Sequence, residues 1–272
     1  MKDMFDITGK CIVITGGAGI LCSEMAKGLA RRGAKICLVD YDSLRANEVC
    51  KEIEAEGNFA IPVEADVLDK KKIEEAFVCA MQSMGKIDAL INGAGGNKKE
   101  ATCGEPKTFF DLPVKAMREV FELNCMGTIL PSQVFGKAMA EAGEGTIINV
   151  ASMNAFRPLT NIAAYSAAKA AVANFTQWLA TYMAKRHSPD IRVNAIAPGF
   201  FLTKQNRFLL TDEKSRELTS RGKTIIEHTP MARFGEPEDL LGTVVWLLSD
   251  AAKFVTGIVV PVDGGFSAFS GV

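Results

Sequence analysis

The first thirty residues constrain the architecture most tightly. Cys11-Ile12-Val13-Ile14-Thr15 is an unbroken, largely β-branched run, the pattern of a strand covered on both faces. It passes directly into Gly16-Gly17-Ala18-Gly19, and then into Ile20-Leu21, Met25-Ala26 and Leu29-Ala30, which recur with helical period. Strand, glycine turn and helix in this order open a βαβ crossover, which belongs to a parallel sheet. Glycines let the backbone turn tightly and approach a pyrophosphate, whose charge is favoured at the helix N-terminus. Gly16, Gly17, Gly19 and Ile20 are therefore expected to contact a dinucleotide. One position departs from that fingerprint: Cys22 stands where glycine or alanine is usual. Cysteine is still small enough for helix and strand to pack closely.

The second strand, Lys35-Ile36-Cys37-Leu38-Val39, ends at Asp40. An acidic side chain there accepts hydrogen bonds from an adenosine ribose and repels a 2′-phosphate. Tyr41, not arginine, follows it, and Arg45 reads as a solvated helix residue. The expected cofactor is NAD(H) in preference to NADP(H).

Strands and helices alternate through the rest of the chain without a linker, repeat or low-complexity tract. Further strands are expected at 59–63, 87–92, 146–151, 191–197 and 257–262. Helices are expected at 44–56, 70–84, 114–142, 164–186 and 237–248. At 272 residues this is one α/β domain, a Rossmann-type doubly wound parallel sheet of about seven strands with helices on both faces. A formal net charge of −1 with no basic stripe leaves nucleic acid without support as a partner. No apolar run has the ~18 residues of a membrane span, and the N-terminus lacks a signal-peptide core. The seven cysteines lack metal-ligand spacing and read as reduced thiols, so no metal and a cytoplasmic location are expected. His187 and His228 lie in polar segments and receive no catalytic role.

Chemistry concentrates in one stretch. The apolar run 147–151 ends at Ser152, and Tyr165-Ser166-Ala167-Ala168-Lys169 follows. Tyr165 and Lys169 share one helix face, a turn apart. An ammonium favours the phenolate, so Lys169 is expected to pull Tyr165 below the usual phenol pKa of about 10 and make it an acid/base near neutrality. The Ser152 hydroxyl can hold a substrate oxygen against that phenol.

With these pieces in one order, the chain resembles the short-chain dehydrogenase/reductase family from Gly9 to about Gly265. The resemblance implies that Asp66-Val67 contacts adenine and that Asn92-Gly93-Ala94 lines the cofactor after the fourth strand. The family usually has a second asparagine where Gly93 stands. It implies an active-site role for Asn124, carrying a water-linked proton path, beside Ser152, Tyr165 and Lys169. It places Pro198-Gly199 on the nicotinamide side, Thr203 on the cofactor amide or phosphate, and Val262-Asp263-Gly264-Gly265 as a closing motif. It also implies a homotetramer built on the helices at 114–142 and 164–186.

The loops bear on substrate. The segment at about 200–232 is longer than a strand-to-helix turn requires and is expected to form a lid. Gln205, Asn206 and Arg207 there, Asn97 after the fourth strand, and Asn154 and Arg157 beyond Ser152 supply amides and positive charge, suited to an anionic sugar acid. Gly199-Phe200-Phe201-Leu202-Thr203 with Gln205-Asn206-Arg207, together with Gly95-Gly96-Asn97, looks like the D-mannonate oxidoreductase (fructuronate reductase) branch of the family. That branch implies NADH-dependent reduction of D-fructuronate to D-mannonate. Rival readings are a gluconate 5-dehydrogenase or 2-dehydro-3-deoxy-gluconate dehydrogenase, a 3-oxoacyl-carrier-protein reductase, and a non-catalytic dinucleotide-binding redox sensor.

Overall fold

In the computed structural model, residues 3–202, 210 and 217–271 are described. Seven strands form one parallel sheet: β1 (Cys11–Thr15), β2 (Lys35–Asp40), β3 (Ala60–Glu64), β4 (Ala89–Asn92), β5 (Gly145–Val150), β6 (Ile191–Pro198) and β7 (Val259–Val262). Their order is β3-β2-β1-β4-β5-β6-β7. The chain winds outward in one direction from β1, then restarts at β4 on the other side. Between β1 and β4 the loops leave in opposite directions, and a crevice opens above the carboxyl ends of the strands.

The helices among the described residues are α1 (Ile20–Ala30), α2 (Ser43–Ala55), α3 (Lys70–Met84), α4 (Val114–Ala142), α5 (Ala163–Arg186), α6 (Ser220–Glu227) and α7 (Leu241–Leu248). Alternation along β1 divides the core in two. Ile12 and Ile14 face one side, packed with Met25 and Leu29 of α1 and with Val244 and Leu248 of α7. Cys11 and Val13 face the other, with Ile73 of α3 and Phe135 and Met139 of α4. All five β1 residues are buried, and each isoleucine or valine so placed contributes about 1.5–3 kcal/mol by leaving water.

Several element boundaries correct the expectation: β3, β4, β5 and β7 run 60–64, 89–92, 145–150 and 259–262 in place of 59–63, 87–92, 146–151 and 257–262, β6 ends one residue later and α5 starts one residue earlier. The helix expected from Leu44 begins at Ser43, because the Asp42 carboxylate accepts from the Arg45 N–H and caps it. The expected helix over 237–248 is a 3₁₀ turn, Pro237–Leu240, followed by α7. Proline in the first turn and the reciprocal Glu236–Asp239 capping box suit either helix type. No described helix is long and apolar enough to cross a membrane.

Candidate active site

The crevice begins at the glycine loop. Gly16 has φ +62°, and a Cβ there would come within 2.6 Å of the Ala94 backbone, so the loops after β1 and β4 meet backbone to backbone. A Cβ on Gly17 would lie 2.8 Å from Leu38 Cδ2. Gly19 precedes α1 and offers no capping side chain, which leaves the first amides of that helix for an anion. Asp40, 6% exposed at the end of β2, accepts the Ala18 N–H at 2.9 Å through one carboxylate oxygen. Its other oxygen accepts the Asp42 N–H at 3.0 Å. Each oxygen keeps a lone pair for a ribose hydroxyl. This glycine cradle, with its anchored acid, fits a dinucleotide.

The reactive groups converge beyond it, where β5 ends. Lys169, on the inner face of α5 and 3% exposed, donates from Nζ to the Val150 carbonyl at 2.7 Å. Its Nζ lies 5.6 Å from the Tyr165 ring centroid. Burial pushes the Lys169 ammonium down to about 8, against a smaller upward pull from Cys22. Burial pushes the Tyr165 phenol above its ordinary value, and a hydrogen bond with Ser152 opposes that rise. The expected depression of Tyr165 by Lys169 is therefore corrected: desolvation outweighs the opposing hydrogen bond at the half-buried phenol, and the ammonium is directed at a backbone carbonyl.

Neighbours hold these groups in place. Ser152 Oγ accepts from Asn154 N–H and Nδ2–H, both at 3.2 Å. Asn154 Oδ1 accepts from Ser166 Oγ and the Leu159 N–H, each at 3.0 Å. Asn124, fully buried in α4, donates Nδ2–H to the carbonyls of Gly96 and Val120, both at 2.7 Å, and accepts the Gly96 N–H at 3.1 Å. A Cβ on Gly95 would sit 2.6 Å from Asn124 Oδ1 and 3.2 Å from Lys169 Nζ. The loop after β4 thus lies directly over the asparagine and lysine, bringing Asn124, Ser152, Tyr165 and Lys169 into one cluster at the mouth of the crevice.

Other expected contacts have different surroundings. The Asn92 side chain is buried under the site, its Nδ2 donating to Ser132 Oγ at 2.9 Å and Asn149 Oδ1 at 2.8 Å, while its Oδ1 is buried without a partner. Val67 is a core side chain, while Asp66 is exposed and accepts the Leu68 N–H. Gly93 and Ala94 lie in the loop after β4, against Cys22 and Gly16, and Gly199 packs on Asp263 beyond Pro198. Asn154, read from sequence as a substrate contact, is 6% exposed and its amide is engaged inside the protein; it positions Ser152. Asn97 is exposed and donates to Thr102 Oγ1 at 2.8 Å. Arg157 is exposed beside the carboxyl-terminal segment. Thr203, Gln205, Asn206 and Arg207 lie outside the described residues. No cluster of metal-ligating side chains occurs among the described residues.

Sequence reasoning passed over the Val150 carbonyl, Ser166 and the close approach of Gly95. A polar residue one position after Tyr165 was the only visible hint of Ser166. Backbone groups leave no signal in residue types.

A family model described as enoyl-(acyl carrier protein) reductase matches residues 16–267. The chain is 49% identical over 276 residues to an uncharacterized oxidoreductase, UxuB, of Bacillus subtilis (strain 168), covering 98% of each. A crystal structure of a protein from Haemophilus influenza, provisionally named a D-mannonate oxidoreductase and holding NAD, superimposes with a TM-score of 0.92 at 47% identity, covering 98% of each chain. Another, from Beutenbergia cavernae, is provisionally named an NAD(P)-dependent gluconate 5-dehydrogenase and holds NADP at low occupancy. Its TM-score is 0.84 at 32% identity, covering 98% of this chain and 100% of that one.

Proposed function

The chain is an oxidoreductase of the short-chain dehydrogenase/reductase family, and from that premise we propose that it interconverts a ketone and a secondary alcohol on a sugar acid, using NAD(H). The reading that the loop motifs favour is reduction of D-fructuronate to D-mannonate. The observation that carries the proposal is the convergence of Tyr165, Ser152 and Lys169 at the open end of a glycine cradle anchored by Asp40.

Bound in that cradle, the nicotinamide supplies or accepts the hydride. The protein's part is binding and proton placement. Gly16, Gly17 and Gly19 admit the pyrophosphate, and Asp40 receives ribose hydroxyls while opposing a 2′-phosphate. Arg45 does not offset that opposition, because its guanidinium is paired with Glu48 at 2.8 Å. Ser152 donates to the carbonyl oxygen as negative charge develops on it. Tyr165 gives that oxygen its proton. A phenol raised by burial is fully protonated at neutral pH, which suits the reductive direction. Lys169 fixes the end of β5 through the Val150 carbonyl, and its remaining N–H groups would be the donors that hold the nicotinamide ribose. Asn124 holds the loop over Lys169 and carries the proton path outward. The lid expected at about 200–232 includes residues 203–209 and 211–216, which lie outside the described residues.

The test is NADH consumption with D-fructuronate, D-tagaturonate, 5-ketogluconate and an acetoacetyl thioester, each repeated with NADPH. The expected result is efficient turnover of fructuronate with NADH. Turnover confined to another keto sugar acid keeps the class and discards the pair. Inactivity with every ketone, despite tight NADH binding, overturns the proposal in favour of a dinucleotide sensor.

A further inference from the structure

The carboxyl-terminal segment folds back on the catalytic end of the sheet, and the chemistry above makes no use of it. After β7 the Asp263 carboxylate accepts the Gly265 N–H at 2.9 Å and the Ser267 N–H at 2.8 Å, which turns the chain sharply. Gly264, at φ +63°, allows close contact with Thr229: a Cβ there would lie 2.8 Å from Thr229 Cγ2. Phe266 meets Phe200 edge-on at 5.1 Å, just beyond Pro198-Gly199. Phe269 meets the His228 ring, past the end of α6, at 6.2 Å. Arg157 donates Nε–H to the Ser267 carbonyl at 3.2 Å. The segment therefore ties together the loop that follows Ser152, the loop after β6, and the end of α6.

That contact leaves most of the Arg157 guanidinium unused. Arg31, Arg45 and Arg233 each hold a carboxylate. Arg157, exposed and held through Nε, has no carboxylate partner among the described residues. A guanidinium anchored at Nε presents its two terminal nitrogens as a fork, which receives a carboxylate through two parallel bonds. Its backbone is coupled to the catalytic serine. Arg157 N–H donates to the Met153 carbonyl at 2.9 Å, and Leu159 N–H to the same Asn154 amide that holds Ser152.

We propose that Arg157 binds the carboxylate of the sugar-acid substrate, and that the segment Asp263–Phe269 aims it. This rests on the sugar-acid reading above. The segment is then a specificity element: it selects the acid over the neutral sugar without touching the reacting carbon.

Three variants test it: Arg157→Ala, Arg157→Lys, and a chain ending at Gly265. Each is assayed with the sugar acid and with the corresponding neutral ketose, alongside NADH affinity and thermal unfolding. Arg157→Ala is expected to raise KM for the acid roughly 10- to 100-fold, the worth of a charge-assisted pair. Its kcat, NADH affinity and neutral-ketose turnover stay near the parent's. Arg157→Lys keeps the charge but loses the fork, and falls between parent and alanine. The shortened chain raises KM for the acid by less than the alanine variant, since the charge remains and only its aim is lost. Ser267→Pro, which deletes the N–H held by Asp263, replaces the shortened chain if that chain does not fold. An unchanged KM for the acid in Arg157→Ala, or equal losses on acid and neutral ketose, overturns the carboxylate role. A shortened or Ser267→Pro chain with the parent's KM overturns the aiming role. A parent inert toward every sugar acid overturns the functional reading and this role with it, whereas an active parent separates the two.

Discussion

The Cys22 sulfur occupies the space that a side chain at position 93 would need: a Cβ built on Gly93 collides with Cys22 Sγ. Each residue departs from the family pattern, and the two departures explain each other. Cysteine on α1 fills the gap that a glycine after β4 leaves open, directly beneath the cofactor cradle. Burial raises the Cys22 thiol to about 12, so it acts as packing and not as a nucleophile.

Gly93→Ala is expected to overpack this contact and cost about 1–3 kcal/mol. In a Cys22→Ala background the same change should cost less, a coupling of at least ~0.5 kcal/mol. The Thr15 carbonyl, 2.9 Å from the same Cβ, keeps the rescue partial. Urea unfolding of the four proteins measures the coupling, and strict additivity would sever the link.

Tyr165→Phe removes the transferable proton and leaves the ring's packing in place. NADH affinity should stay within about threefold of the parent while turnover falls by roughly 10²–10⁴, the range for a lost general acid. Ser152→Ala should also lower kcat, with little change in NADH affinity. Most of the parent's turnover surviving in Tyr165→Phe would remove the tyrosine from the chemistry.

Lys169 gives the cofactor-free protein a stability that depends on pH. Its ammonium falls from the usual 10.5 to about 8 on folding. Between those values the unfolded chain binds the proton and the folded one does not. Stability from this group is therefore complete above pH 10.5, falls as pH drops toward 8, and levels off below. Lys169→Met should abolish that slope, as well as catalysis. The measurement is urea unfolding of parent and variant at pH 7.5 and 9.5, and parallel pH dependences would contradict it.

Asp40 fastens the glycine loop through the Ala18 N–H and is the expected ribose acceptor. Asp40→Ala should weaken NADH binding and improve NADPH relative to NADH by roughly tenfold, because the anion facing a 2′-phosphate is gone. KM values for both cofactors provide the check. An unchanged ratio would place discrimination elsewhere.

Much of this was legible in residue types and spacing. α3 and α4 occupy the ranges read from sequence because their apolar periods run without interruption from start to stop, and α4 even carries Pro131 internally. Tyr165 and Lys169 were legible because helical spacing alone puts them on one face. Their electrostatics were not, since the pKa of a buried group depends on everything that excludes water from it. Asn92 and Asn154 show the same limit. Each sits where a polar residue can face a ligand, yet Asn149 and Ser132 draw one beneath the sheet end, and Ser152 and Ser166 draw the other inward. Partners so distant in sequence leave no local pattern.

Self-association through α4 and α5 is the last expectation. Trp178 is 56% exposed and stacks between Phe175 and Tyr182 at centroid separations of 6.1 and 5.1 Å, forming an aromatic strip on α5. Toward the N-terminal ends of the same two helices, Val114, Met117 and Phe121 of α4 and Ala163, Ala164 and Ala167 of α5 line an apolar groove, with Arg118 and Glu122 among its residues. A two-fold axis across such a face sets the same patch against itself, so Arg118 of one copy can meet Glu122 of the other. Exposed aromatic surface of this kind marks a contact. The protein is expected to run as a tetramer in light scattering at micromolar concentration, and Trp178→Glu to shift it toward smaller species with a lower Tm. The cradle and the tetrad of one chain share no residue with this face, so loss of assembly should lower stability more than NADH affinity. A parent that scatters as a monomer would confine these helices to a role within one chain.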